Sequence, residues 1–350
     1  MNSNANTIPV GILGASGYTG AELVRLLAHH PNADIQLVTA DRRAGESVGN
    51  IFPHLAGVGL TTLTHIDDAD FSDLDTVFLG LPHGTTQEVV AELPRHLRVI
   101  DLSADFRLAD VGTYAAWYGH EHRAPKFQSE AVYAITELNR ETIASARIIA
   151  NPGCYPTASL IPLVPLIEAG LIAADDIIID AKSGVSGAGR AEHEANLFAE
   201  VSEGIHAYGV GHHRHAPEIE QGLSKAAGRE IIVNFTPHLV PMNRGILATI
   251  YVRLNEGNGV ADLRAELGAR YGSEPFVRVT PEGVAPATRH VRGSNHCLIG
   301  IYADRLPGRA ILICVIDNLV KGAAGQAIQN FNLMSGLDET TALEQEPLFP

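Results

Sequence analysis

The sequence predicts a two-domain α/β protein, with an N-terminal domain on a doubly wound parallel sheet and a second, α+β domain on a mixed, largely antiparallel sheet. Three observations carry this expectation. The chain has 350 residues, long for one hydrophobic core. Its first part alternates short apolar runs with amphipathic stretches, the pattern of strand–helix–strand units. After Cys154 the runs Ile177 to Ala181, Ile231 to Phe235, Leu247 to Leu254, Cys297 to Ala303 and Ala310 to Ile316 succeed one another with fewer helices between them, which favours antiparallel or mixed pairing.

Composition narrows the class. With 45% hydrophobic and 19% charged residues, the chain reads as an ordinary soluble protein. The polar start, Met1 to Thr7, lacks the basic and apolar segments of a signal peptide. The longest apolar tract, Leu160 to Ala174, is broken by Pro162, Pro165 and Glu168 and does not read as a membrane span. Cys154, Cys297 and Cys314 are odd in number and far apart, so no disulfide framework is expected and the cytoplasm is the expected compartment. A formal net charge of −15 opposes binding to nucleic acid or anionic membrane.

Residues 8 to 13 form the first expected strand and run into Gly14-Ala15-Ser16-Gly17-Tyr18-Thr19-Gly20, then a helix through Leu23, Leu26 and Leu27. Strand, glycine turn and helix is the context a dinucleotide site needs, because small residues let a pyrophosphate reach the free N–H groups of a helix start. A second strand, Ile35 to Thr39, ends at Asp41-Arg42-Arg43, where the adenosine ribose would lie. Two arginines against one aspartate favour the 2′-phosphate of NADP. Strands are also expected at Thr76 to Leu81, with Pro82-His83-Gly84-Thr85 as its ligand-facing loop, and at Val99 to Leu102, followed by Ser103-Ala104-Asp105-Phe106-Arg107. Arg107 reads either as an anion contact or as a surface partner of Asp105. Residues 114 to 130 read as aromatic loop and 337 to 350 as polar tail.

Two stretches carry chemistry. In Asn151-Pro152-Gly153-Cys154-Tyr155-Pro156-Thr157, Pro156 suits a first helical position, so Cys154 stands where a helix dipole favours thiolate. Pro162 and Pro165 are expected to kink or break that helix. In His212-His213-Arg214-His215-Ala216-Pro217-Glu218, Pro217 marks a second helix start with Glu218 and Glu220 complementing its dipole, and the positive end would keep His215 neutral and able to accept a proton. If the approach is extended, His213 shares a face with His215. Neither carboxylates nor cysteines stand at zinc-ligand spacing beside these histidines, and no metal is expected. Lys182-Ser183-Gly184-Val185-Ser186-Gly187-Ala188-Gly189-Arg190 is a glycine loop suited to close approach of a ligand.

Together with Asp317-Asn318-Leu319-Val320-Lys321-Gly322, these motifs resemble the N-acetyl-gamma-glutamyl-phosphate reductase family of arginine biosynthesis, within the aspartate-semialdehyde dehydrogenase-like superfamily, from about residue 8 to about 335. The resemblance implies an NADP-binding Rossmann domain (residues 1–152 and 318–350, completed by the C-terminal helix). It also implies an inserted α+β catalytic and dimerisation domain (153–317) and a homodimer or homotetramer. It implies Cys154 as nucleophile, His215 as general base with His213 as its competitor, and cofactor contacts from Gly14 to Gly20 and from Arg42, Arg43, Pro82, Ser183, Gly184 and Asn318. Arg107, Arg190 and Arg244 are the candidates for the substrate's carboxylate or phosphate. Asp41 departs from the family, which usually shows a serine or arginine there without an acid. The reaction implied is NADPH-dependent reduction of an acyl phosphate through a cysteine thioester. The rivals are the same chemistry on aspartyl phosphate or on a carrier-bound glutamyl or aminoadipyl phosphate, and a non-catalytic NADP-binding sensor.

Overall fold

The computed structural model describes residues 7–349, which divide into two compact units. The first comprises residues 7–115, 119–152 and 323–344, and the second residues 116–118, 153–322 and 345–349.

The first unit is built on six parallel strands: β1 (Ile8–Leu13), β2 (Ala33–Thr39), β3 (Thr76–Leu79), β4 (Arg98–Asp101), β5 (Ala131–Tyr133) and β6 (Ile148–Ala150). Their order is β2-β1-β3-β4-β6-β5. The order reverses between β1 and β3, so the loops leaving these two strands flank the crevice where such sheets take ligands. β5 and β6, three residues each, carried too little pattern to be foreseen. Helix Gly325–Met334 belongs to this unit, with Phe331 against Phe78 and Asn330 accepting from the Thr136 hydroxyl at 2.8 Å.

The second unit carries seven strands: β7 (Ile178–Gly184), β8 (His206–Ala207), β9 (Asn234–Val240), β10 (Ile246–Arg253), β11 (Val277–Val279), β12 (Cys297–Ala303) and β13 (Arg309–Ile316). In the order β11-β12-β13-β10-β7-β9-β8, only the β11–β12 and β7–β9 pairs are parallel. Burial alternates along β10, with Ile246, Ala248, Ile250 and Val252 in the core, as one covered face requires.

Several expectations are corrected. Residues 114–130 are not all loop: Val111–Tyr118 is a helix, capped where the Asp110 carboxylate accepts from Thr113 N–H at 2.6 Å and ended by Gly119 at φ +79°. Residues 231–233 do not join the expected strand, because Ser224 Oγ and Glu220 Oε1 accept the Ile231 and Val233 N–H groups. The C-terminal stretch is anchored rather than a plain polar tail, with Glu339 paired to Arg140 at 3.1 Å and Leu343 buried. Residues 318–322, expected in the first domain, group with the second unit, where Asn318 is bonded to Gly245 and Ser186.

The sharpest correction concerns helix Cys154–Glu168, which runs unbroken through Pro162 and Pro165. Proline 165 removes the N–H that Ile161 carbonyl would have accepted, and the Tyr271 hydroxyl donates to that carbonyl instead at 2.6 Å. Residues 155–167 are all buried, so the burial of an apolar helix outweighs its poor intrinsic propensity.

Candidate active site

In the first unit, the glycine loop owes two of its glycines to packing and leaves one open. A Cβ on Gly14 (φ +87°) would lie 2.5 Å from Gly80 carbonyl oxygen, and one on Gly20 would lie 2.4 Å from Gly14 oxygen. These two bring the loop after β1 onto the loop after β3 and onto its own helix. Gly17 is different. A Cβ there would find nothing nearer than 3.6 Å, and Gly17 caps helix Tyr18–Leu27 without any side-chain hydrogen bond. The first-turn N–H groups are thus open to an anion, with Ala15 buried beneath, Ser16 and Thr19 half-buried and Tyr18 exposed.

The end of β2 distinguishes its three charged residues. Asp41 faces His65 at 3.4 Å, Arg43 is paired to Glu46 at 3.0 Å, and Arg42 is exposed and enters no ion pair among the described residues. Pro82 is exposed in the loop after β3. That loop is held by Asp105, fully buried, which accepts from Gly84 N–H at 2.8 Å, Thr86 N–H at 3.0 Å and the Tyr114 hydroxyl at 3.1 Å. Arg107 is not on the surface. Its buried guanidinium donates to the carbonyls of Asn151 and Leu102, both at 2.8 Å, and so ties the ends of β4 and β6 together. Burial, and then the charge of Asp105, raise the neighbouring Asp101 carboxyl to about 7.

In the second unit, two helix starts are joined directly. Gly153 caps helix Cys154–Glu168 and Cys154 is its first residue, two positions earlier than Pro156 suggested. His215 caps helix Ala216–Ala227, whose third residue is the buried Glu218. Glu218 Oε1 accepts the Gly153 N–H at 2.7 Å. One turn on, a Cβ on Gly222 would lie 2.7 Å from a Leu160 methyl, so glycine lets the two helices pack closely without moving that side chain. The half-buried thiol and the histidine turn are therefore fixed to one another.

The approach to His215 is a turn, not an extended segment. The two rings still meet, with centroids 4.9 Å apart, because His213 Nδ1 accepts the backbone N–H of His215 at 3.0 Å. Burial, helped by the positive charges of Arg214 and His212, lowers His213 to about 4. A neutral ring whose Nδ1 is an acceptor carries its proton on Nε2, so His213 is a donor at neutral pH. Around the pair stand Tyr155, Phe235 and Tyr208, whose hydroxyl donates to that of Tyr155 at 3.0 Å. Burial pushes both phenols well up, and charge on Cys154 pushes them further, so they stay protonated donors beside the sulfur. Gly322, in the π-turn Val320–Ala324, approaches the thiol so closely that a Cβ would lie 2.8 Å from that of Cys154. Among the described residues no group of three histidines, cysteines or carboxylates is arranged for a metal ion.

Models of the semialdehyde dehydrogenase NAD-binding domain and of its dimerisation domain match residues 9–146 and 154–318. An N-acetyl-gamma-glutamyl-phosphate reductase of Rhodospirillum rubrum is 61% identical over 348 residues, covering 98% of this chain and 99% of its own. The chain belongs to the N-acetyl-gamma-glutamyl-phosphate reductase family. A probable member from Arabidopsis thaliana, described as chloroplastic, is 58% identical over 98% of this chain and 86% of its own. In fold, this family member is similar to aspartate semialdehyde dehydrogenase II of Vibrio cholerae (TM-score 0.73, 19% identity, 95% of this chain and 99% of that one). It is also similar to the Candida albicans aspartate semialdehyde dehydrogenase solved with NADP (TM-score 0.66, 18% identity, 94% of this chain and 98% of that one).

The remaining predicted positions of this reductase-family chain lie on the second unit. Ser183 and Gly184 end β7, and a Cβ on Gly184 would meet Asn243 oxygen at 2.7 Å, so that glycine serves the 243–244 turn. Asn318 accepts from Gly245 N–H at 2.7 Å and donates to Ser186 Oγ at 2.9 Å. Arg244 lies 3.5 Å from the buried Asp317, and Arg190 is exposed after Gly189. Sequence reasoning missed Tyr155, Tyr208 and Gly322 as parts of the thiol's surroundings, and it took Glu218 only as a dipole complement. The Pro-Glu pair opening the second helix was the one available signal.

Proposed function

We propose that the chain catalyses NADPH-dependent reduction of N-acetylglutamyl 5-phosphate to N-acetylglutamate 5-semialdehyde with release of phosphate, with Cys154 as nucleophile. The observation that carries this is the Glu218–Gly153 bond, which ties a helix-start thiol to the turn that carries the histidine pair. Residues 7–152 with the C-terminal helix bind the dinucleotide, and the second unit performs the chemistry. The open helix start at Gly17 and the exposed Arg42 suit the pyrophosphate and the 2′-phosphate of NADP.

The His215 imidazole takes the Sγ proton, and the Cys154 thiolate attacks the acyl carbon. Phosphate leaves and a thioester remains on the sulfur. NADPH, when bound, supplies the hydride that this thioester accepts. His213, with its proton on Nε2, donates a hydrogen bond to the developing oxyanion. His215 returns a proton to sulfur as the carbon–sulfur bond breaks and the aldehyde departs. Ser183, Gly184, Pro82 and Asn318 shape the cofactor's surroundings, and Arg107 acts by holding the ends of β4 and β6. Arg190 and Arg244 are held as contacts for the substrate's anionic groups.

The half-buried outer face of the second sheet, with Leu247, Thr249, Tyr251, Ile311 and Ile313, supports a homodimer, and a tetramer is a dimer of these. No described helix is long and apolar enough to cross a membrane, and the protein works in the cytoplasm.

The test is phosphate-dependent reduction of NADP with N-acetylglutamate 5-semialdehyde, run beside aspartate semialdehyde, for the native chain and Cys154→Ala. Turnover confined to the acetylated aldehyde and abolished with the thiol is expected. NADP binding without turnover on either aldehyde would point instead to a carrier-bound substrate or a sensor.

A further inference from the structure

The histidine turn contains an arginine that the mechanism above leaves without a task. Arg214 lies between His213 and His215, and it is exposed, in contrast to its two half-buried neighbours. Among the described residues it enters no ion pair or hydrogen bond. Its guanidinium carbon lies over the Tyr118 ring, 5.4 Å from the centroid. Tyr118 ends helix Val111–Tyr118, and residues 116–118 group with the second unit, not with the body of that helix. The aromatic segment after residue 114 thus supplies the platform for this arginine.

A guanidinium held over a ring keeps N–H donors available, and their fork matches the paired oxygens of a phosphate. Two of the other arginines considered for the substrate are engaged differently. Arg107 donates to two carbonyls of the first unit, and Arg244 lies against the buried Asp317. Building on the reaction proposed above, the geometry points to Arg214, steadied by Tyr118, as the residue that binds the phosphoryl group of the acyl phosphate. The phosphoryl oxygen is bonded to the same carbon that the thiol attacks and the histidine turn serves. The substrate's α-carboxylate lies at the far end of a five-carbon chain from that carbon.

The test varies inorganic phosphate in the aldehyde-oxidising direction at saturating NADP and N-acetylglutamate 5-semialdehyde. Losing a charge-assisted bidentate contact in Arg214→Ala should raise the phosphate KM by about tenfold to a hundredfold, with the KM values for aldehyde and NADP little changed. Arg214→Lys should fall between that variant and the native chain. Tyr118→Leu should raise the phosphate KM severalfold, by about the worth of an exposed cation–π contact, whereas Tyr118→Phe keeps the ring and should leave it near native. An unchanged phosphate KM in Arg214→Ala, or a rise confined to the aldehyde, overturns the assignment. The Tyr118 pair decides the matter if Arg214→Ala fails to fold, since equal values for Leu and Phe also overturn it. A native chain whose turnover ignores phosphate would instead refute the proposed reaction, which separates the two failures.

Discussion

Replacing Gly322 by alanine tests how tightly the C-terminal π-turn sets the position of the nucleophile. A Cβ at 322 would stand 2.8 Å from Cys154 Cβ and 3.3 Å from both Cys154 Cα and Asp317 carbonyl oxygen. Carbon pairs settle at about 3.5–4.0 Å, so something must move by about an ångström. Neither side yields easily. Cys154 opens a helix buried from Tyr155 to Ile167, and Gly322 N–H is bonded to Asp317 carbonyl at 2.9 Å. Overpacking of this kind costs about 1–3 kcal/mol. A 1 Å error in the position of a reacting group lowers turnover by about a hundredfold. The assay is single-turnover reduction with a parallel melting curve, using Gly268→Ala as control. Gly268 lies in helix Val260–Tyr271 with nothing within 4 Å of an added Cβ, so that variant should melt at or above the native temperature. Gly322→Ala should lose turnover and stability while keeping its affinity for NADPH. Native turnover together with native melting would refute the steric argument.

Other outcomes follow from single contacts. Arg42→Ala should raise the KM for NADPH well above that of Arg43→Ala, because Arg43 is already paired to Glu46; equal effects would reassign the 2′-phosphate contact. Tyr271→Phe should destabilise the chain by about 1–3 kcal/mol, since the Ile161 carbonyl opposite Pro165 would lose its donor in the core; urea titration measures it. His213, at about 4 when folded against about 6.5 when unfolded, takes up its proton first in the unfolded chain as pH falls. Its presence should therefore cost stability progressively from about pH 6.5 down to about 4, by at most about 1.4 kcal/mol per pH unit, and nothing above pH 7. The difference between native and His213→Gln melting curves isolates this slope, and its absence would contradict the burial of that ring.

Local pattern alone determined the glycine loop, the parallel first sheet, the mixed second sheet, and the thiol and histidine at helix starts. Each of these is written within a few residues: small residues where a backbone must come close, a proline near a helix start, apolar runs of strand length. What the tertiary structure decided are pairings between distant residues. Pro165 looks like a helix breaker until Tyr271, more than a hundred residues away, supplies the donor missing at the Ile161 carbonyl. Glu218 reads as a dipole complement until Gly153 appears beside it, and the reading of Arg107 as a surface partner of Asp105 ends when its guanidinium is found buried on two carbonyls. Likewise the lowered basicity of His213 rests on burial, and its tautomer on one backbone N–H, and burial is a property of the folded chain. Propensity is local and acts along the sequence, whereas hydrogen-bond satisfaction and desolvation depend on which segments the fold brings together.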